Sequence, residues 1–394
     1  MIDFFKEANK FKEELIDIRR DFHMHPELGF EVFRTLGKIK EFLDREGIEY
    51  KECGISGLCG IIKGELDDNG KVIGIRADMD ALPIEEKKVC EYSSKEKGKM
   101  HACGHDAHAT ILLGVAKVLN KNKDKFGGTI KLIFEPAEET TGGAPHMIKD
   151  GILENPRVDK VIGLHVEEKL EVGKIMIKNG MVNAASNPYK IKVKGHGGHG
   201  ARPSTTVDPI VIGANIVTTL QTIVSREISA LNPCVITVGS FHAGTAQNII
   251  PEEAQIEGII RTTTPEDRKF VTERVVEVAE GIAKTGRGEA AVLIEESYPC
   301  LINEDSCVSL IRNASSEIIG ENNVLEQPNP SMGVESFAYF AMERDSAFYF
   351  LGTGSKKNDS FRPAHSGMFD IDEDALPIGV AIQSKAAFNY LTRA

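Results

Sequence analysis

Apolar side chains recur three and four positions apart from about residue 5 to 20 and from about 34 to 47, which predicts two helices. Between them, His23-Met24-His25-Pro26-Glu27 breaks the pattern, because the residue before a proline is pushed out of helical geometry. Val72–Arg76 reads as a short buried strand running into Ala77-Asp78-Met79-Asp80-Ala81-Leu82-Pro83. A helix is predicted over about 107–121, with Asp106 placed to cap its start. Thr129–Phe134 and Val158–Leu164 read as strands, stopped by Glu135-Pro136 and by His165. Strands alternating with helices predict an α/β fold on a mostly parallel sheet. Ligands collect at the carboxyl ends of such strands, and the polar clusters of this chain fall there.

The texture changes near residue 184. Tyr189–Val193 alternates like a half-exposed strand, Pro209–Glu227 is a long amphipathic helix, and Val235–Phe241 and Ala254–Arg261 are strands. Pro265–Lys284 is a second helix and Ala290–Glu296 a last strand. That order is the order of a ferredoxin-like α+β sandwich. From about 297 the α/β pattern resumes. The expected organisation is a first domain made of 1–183 and 297–394, with a second domain of 184–296 inserted into it.

Composition narrows the function. The chain has 394 residues, 47 Lys+Arg against 59 Asp+Glu, and a net charge of −12, which disfavours nucleic acid or an anionic membrane as partner. No apolar run approaches the ~18 residues of a spanning helix, and the charged, amphipathic N-terminus does not read as a secretory leader. Seven cysteines, an odd number without paired spacing, are expected to be free thiols of a cytoplasmic protein.

The densest chemistry is Met100-His101-Ala102-Cys103-Gly104-His105-Asp106-Ala107-His108, just before a helix. Thiolate and imidazole are good ligands for zinc and related divalent metals. A single histidine here would read as part of a helix cap; three with a cysteine favour a metal. In Glu135-Pro136-Ala137-Glu138-Glu139, one carboxylate can bind metal while its neighbour takes a proton. Adjacent acids at a strand end are also common solvated loop residues. His165 and His365, each alone, would more often be core or surface histidines. Asp78 and Asp80 can orient a histidine or simply make a turn. It is their joint placement at successive strand ends that points to a site. Gly195-His196-Gly197-Gly198-His199-Gly200 fits a dinucleotide pattern formally, but Arg202-Pro203-Ser204 stands where a helix should open, so that reading is rejected.

RRDFHMHPELGFE, IRADMDALPIEE, MHACGHDAHATILLG, FEPAEE, GLHV, GHGGHGARP, DPI, GTAQNIIP, GVESFAYF and HSGMFDIDEDAL together resemble one family nearly end to end. It is the dinuclear-metal aminoacylase and carboxypeptidase family, in its branch of hippurate hydrolases, indoleacetyl-amino-acid hydrolases and N-acyl-amino-acid amidohydrolases. The resemblance implies two divalent metal ions, of zinc, manganese, cobalt or nickel, held by Cys103, His105, Glu139, His165 and His365. It makes Glu138 the general base, has Asp80 orient a metal ligand, and puts Asp78 in the same strand-end motif. His199 of the inserted domain corresponds to a histidine that polarises the scissile carbonyl in the partner subunit's site. Asn248 and, more weakly, Arg261 correspond to substrate-binding residues. The implied reaction is hydrolysis of an N-acyl amino acid by a homodimer or homotetramer. Departures are Glu135, where relatives often have Gln, the run Thr140–His146, and Gln247 and Ser366; Glu135 is expected to add a third acid beside Glu138 and Glu139. The alternatives are a dipeptidase or aminopeptidase with the same metal core, a catalytically inactive metal-binding protein, and a structural scaffold.

Overall fold

The computed structural model describes residues 2–67, 69–355 and 361–392. They form two compact units: Met1–Val182, Ile302–Asn329 and Ser336–Ala394 make the larger, and Asn183–Leu301 with Pro330–Glu335 the smaller. The chain opens with α1 (Phe4–Asn9), α2 (Lys12–Met24) and α3 (Phe33–Arg45). The helix expected over about 5–20 is therefore two. Phe11 leaves helical geometry at the break, and its ring packs against the core beneath Lys117. There follow β1 (Glu49–Cys53), β2 (Gly57–Lys63), β3 (Val72–Asp78), α4 (His105–Asn120), β4 (Thr129–Glu135), α5 (Ala144–Lys149), β5 (Lys160–Glu171), β6 (Ile175–Ile177) and β7 (Gly180–Asn183).

The smaller unit contributes β8 (Ala185–Lys194), β9 (Gly198–His199), α6 (Pro209–Thr222), β10 (Cys234–Ala243), β11 (Ile249–Ile250), β12 (Glu253–Thr262), α7 (Pro265–Thr285) and β13 (Glu289–Ile294). The chain then returns through β14 (Leu301–Asn303), α8 (Asp305–Ile319), β15 (Val324–Glu326), α9 (Phe337–Glu343), β16 (Asp345–Gly354) and α10 (Ala375–Thr392).

The larger unit is built on an eight-stranded sheet of order β1-β2-β4-β3-β5-β16-β6-β15. Its centre, β4-β3-β5-β16, is parallel. Strands buried on both faces need near-continuous apolar sequence, and β3, buried along its whole length, is the example. α4 and α10 are apolar on nearly every side, as helices enclosed by other elements must be. Register brings Asp78 opposite Glu135, so the parallel ends of β3 and β4 present two acids side by side. β5 does not stop at His165 as expected. It runs on to Glu171 with Val166, Glu168 and Leu170 buried in alternation, because β16 pairs along it beyond the histidine.

In the smaller unit the sheet β10-β12-β8-β13 is antiparallel throughout. α6 and α7 pack over one face, where Tyr189, Ile191, Val193, Ile256 and Ile260 meet Ile212, Ile216, Leu220, Val271 and Val275 in a core of their own. The carboxylate of Asp208 and the hydroxyl of Thr264 cap the two helices. The order strand, helix, strand, strand, helix, strand is the expected ferredoxin-like one. The first helix ends as an α-helix at Thr222 and continues as a wide turn over Ile223–Glu227. Among the described residues no helix is long and apolar enough to cross a membrane.

Candidate metal centre

Six side chains named from sequence meet beyond the strand ends of the larger unit. Donor atoms of Cys103, His105 and His165, of Cys103, Glu139 and His365, and of His105, Glu138 and Glu139 form three overlapping groups, each with all its atoms within 4.8 Å of one another. The local backbone explains how close neighbours in sequence reach one point. Gly104 turns the chain at φ 88°, and a Cβ there would lie 2.3 Å from Val166 Cγ2, so only glycine lets Cys103 and His105 project beside β5. α4 starts at His105 rather than after Asp106 as expected. The Asp106 carboxylate instead binds Arg19 and His23 at 2.9 and 2.7 Å, anchoring the first turn. Ala137 and His365 also have φ near +60°, costly for residues with a Cβ and concentrated here at the donor groups.

The ring nitrogens are sorted by their partners. His165 Nδ1 donates to the Val166 carbonyl at 2.6 Å, which leaves the Nε2 lone pair facing Cys103 Sγ at 3.3 Å. His108 is fully engaged: Nδ1 donates to Asp78 at 2.6 Å and Nε2 accepts the Val166 N–H at 2.9 Å, so it holds the site without a nitrogen to offer a cation. Asp80 accepts the N–H groups of Glu138 and Glu139 at 2.9 and 3.2 Å and lies 3.5 Å from His105 Nδ1. Asp78 is taken up by Arg76 at 2.6 Å and by His108, and stands 3.8 Å from His105. His365 Nε2 lies 3.4 Å from Glu139 Oε1, while its backbone N–H donates to Ala102.

These residues fit a divalent metal. Both nitrogens of His105 and Oε1 of Glu139 are buried without a hydrogen-bond partner, a costly state that a cation would relieve by taking a lone pair from one His105 nitrogen and from the Glu139 oxygen. Burial disfavours a charged His105, yet Asp78, Asp80 and Cys103 outweigh it and raise its pKa well above the ordinary range; the pocket demands positive charge. Burial pushes the Cys103 thiol well up, and a cation beside the sulfur is what would release its proton. Burial raises Glu139 too, but His365 and His105 more than offset it and leave the carboxyl below its usual value.

Residues 74–389 match the family described as Peptidase family M20/M25/M40. The chain belongs to this family. IAA-amino acid hydrolase ILR1-like 4 of Arabidopsis thaliana is 36% identical over 388 residues, covering 97% of this chain and 87% of that protein. N-acetyl-L-cysteine deacetylase of Bacillus subtilis is 39% identical over 366 residues, covering 93% and 85%. The crystal structure of the Bacillus subtilis YXEP protein, described as a dinuclear metal binding peptidase of the M20 family, aligns with a TM-score of 0.85 at 32% identity, over 97% of this chain and 99% of that one.

Three other residues named from sequence, His199, Asn248 and Arg261, lie in the smaller unit of this M20/M25/M40 chain. His199 is exposed on β9, its Nδ1 accepting the Ala201 N–H at 3.1 Å. Asn248 is its neighbour, with its carbonyl accepting the Gly200 N–H at 2.8 Å. Arg261 is on a different sheet, in β12, where one guanidinium nitrogen, Nη1, is buried without a hydrogen-bond partner. Glu135 differs from its expected role. Its Oε2 accepts from Arg76 at 2.6 Å and its Oε1 from the Ala144 N–H at 2.7 Å, so it is the counterion of a buried arginine rather than a third acid beside the glutamates. Sequence reading gave no role to Arg76, counted His108 only among the histidines that favour a metal, and gave no role to Ser336. The first two carried a signal: Arg76 and Asp78 alternate onto one side of β3, and His108 follows His105 by three residues, close to one helical turn.

Proposed function

We propose that this chain is a metal-dependent amidohydrolase that splits the amide bond of N-acyl amino acids into a carboxylate and a free amino acid. The observation that carries the reading is the convergence of Cys103, His105, Glu139, His165 and His365 with Glu138 beside them. Cys103, His105, Glu139, His165 and His365 would hold two divalent ions, zinc, manganese, cobalt or nickel, since imidazole and thiolate donors suit such metals. When bound, the metal pair supplies Lewis acidity toward water and the scissile carbonyl.

Glu138 is nearly buried, where a carboxylate can take the proton of the attacking water and pass it to the departing amine. Asp80 fixes the turn that presents both glutamates. His199 polarises the carbonyl, contributed by the partner subunit of a homodimer or homotetramer, and Asn248 and Arg261 hold the substrate. The relatives' activities on amino-acid conjugates support the N-acyl class, and seven unpaired cysteines support a cytoplasmic location.

The test is a panel of N-acyl amino acids and free dipeptides assayed with each divalent metal, on the natural protein and on Glu138→Ala. The proposal expects N-acyl substrates to be preferred, and Glu138→Ala to keep its metal while losing nearly all turnover. Preference for free dipeptides would move the protein to the dipeptidase class, and full activity of Glu138→Ala would remove the base.

A further inference from the structure

Ser336 carries no assigned part in the reaction, yet it touches Glu138. Its backbone N–H donates to Glu138 Oε1 at 3.2 Å, and its hydroxyl accepts from Arg76 Nη2 at 2.6 Å. Ser336 and Arg76 are both fully buried. Arg76 is itself fixed from two other directions, by Asp78 and Glu135, each at 2.6 Å. Glu135 is held in turn by the Ala144 N–H. The amide that meets Glu138 is thus tied through a hydroxyl to a three-way buried ion cluster seated on the central strands β3 and β4.

We propose that Ser336 is a positioning residue of the hydrolysis: its N–H sets the orientation of the Glu138 carboxylate, and Arg76, gripping its hydroxyl, keeps that N–H aimed. This rests on Glu138 being the base. A glutamate side chain has three rotatable bonds, and proton transfer needs its oxygen placed within hydrogen-bond reach of the water. Holding one carboxylate oxygen restricts the last of those rotations before substrate arrives, which is the kind of preorganisation that raises turnover rather than affinity.

The backbone offers a clean experiment. Ser336 has φ −67° and ψ −20°. Proline is locked near that φ and lacks both the N–H and the hydroxyl, so Ser336→Pro deletes the donor together with the link to Arg76 while keeping the local backbone, and its difference from Ser336→Ala reads the N–H. Ser336→Ala keeps the donor and deletes only the link to Arg76, and Ser336→Thr keeps both. Each is assayed as metal-loaded full chain on the panel substrate the natural protein turns over fastest, with metal content and unfolding midpoint measured in parallel and Glu138→Gln as control.

The expected result is a loss of kcat of at least about tenfold in Ser336→Pro with KM within about twofold. Metal content should be unchanged, Ser336→Ala should show a smaller loss of kcat, and Ser336→Thr should be rescued close to the natural rate. If Ser336→Pro does not fold, the contrast between Ala and Thr decides. Equal kcat in Ser336→Ala and the natural protein overturns the proposal, as does a loss in Ser336→Pro that appears in KM or metal content alone. A Glu138→Gln variant that turns over normally overturns the reading of the base itself, whereas a dead Glu138→Gln with normal Ser336 variants overturns only this inference.

Discussion

Replacing Arg76 with methionine removes one positive charge from between two carboxylates that have no access to solvent. Asp78 and Glu135 each lie 2.6 Å from the guanidinium, and all three side chains are 0% exposed. Burial pushes Asp78 up, but the charges of His105 and Arg76 outweigh it and hold the carboxyl well below its ordinary range. Breaking a buried pair by deleting one partner costs about 3–5 kcal/mol, because the remaining charge stays buried and uncompensated. Here two acids lose their shared cation while Asp78 keeps His108 and Glu135 keeps the Ala144 N–H, so that range applies, against a total stability for a typical protein of about 5–15 kcal/mol.

Glu135→Gln should be far milder, about 1–2 kcal/mol, since Arg76 and Asp78 remain balanced and the amide oxygen can still accept a hydrogen bond. The sign of the pH effect is a second check. In the natural protein, Asp78 contributes stability above its unfolded pKa and loses it as pH falls through its depressed folded value. In Arg76→Met the two acids lose a lowering charge and bind protons more readily than in the natural protein, so the penalty of the substitution grows as pH rises. The penalty should therefore be larger at pH 8 than at pH 5, both within the range where protein carboxylates raised by burial titrate. The chain has no tryptophan, and two units need not unfold together. Native-state hydrogen exchange of the β3 and β4 amides reports the relevant stability directly. Arg76→Met costing no more than Glu135→Gln, or a penalty that grows toward low pH, would refute the reasoning.

Two further outcomes follow from local geometry. Ala137 is fully buried at φ 60° just before the two glutamates, so Ala137→Val should cost about 1–3 kcal/mol and reduce metal content, while Ala137→Gly should leave metal content intact; thermal unfolding with elemental analysis separates them. Glu304 caps α8, accepting the Cys307 N–H at 2.9 Å. Although burial pushes that carboxyl up, hydrogen bonds from Ser306 and Cys307 outweigh it and lower the pKa to about 2. The cap's contribution should be present above the unfolded value near 4.5 and fade as pH falls toward 2. Because the side chain is 37% exposed, Glu304→Ala should lose only about 1 kcal/mol at pH 7, the scale of a helix cap, and almost nothing at the acid end of a urea-unfolding series.

The alternation of strand and helix made the α/β class legible, and the switch to half-exposed strands near residue 184 falls close to Asn183, where the smaller compact unit begins. The candidate donors were legible because cysteine, histidine and paired acids are uncommon together at strand ends. What escaped was whatever depends on partners distant in sequence. The continuation of β5 past His165 comes from pairing with β16, nearly two hundred residues later. Asp106 looks like a cap until Arg19 and His23 claim it. Glu135 looks like a third acid beside Glu138 and Glu139 until Arg76 neutralises it. Ser336 has no local signature: its importance lies in one amide and one hydroxyl that only tertiary structure brings to Glu138 and Arg76.

The central claim is that five donors would cage divalent metal with Glu138 beside them as the base. Anomalous X-ray diffraction from crystals of the metal-loaded, catalytically active protein tests it without inference from kinetics. The account predicts two strong peaks, both lined by atoms of Cys103, His105, Glu139, His165 and His365, with Glu138 adjacent to the pair. Peaks elsewhere, or none in a preparation that still hydrolyses its substrate, would contradict it.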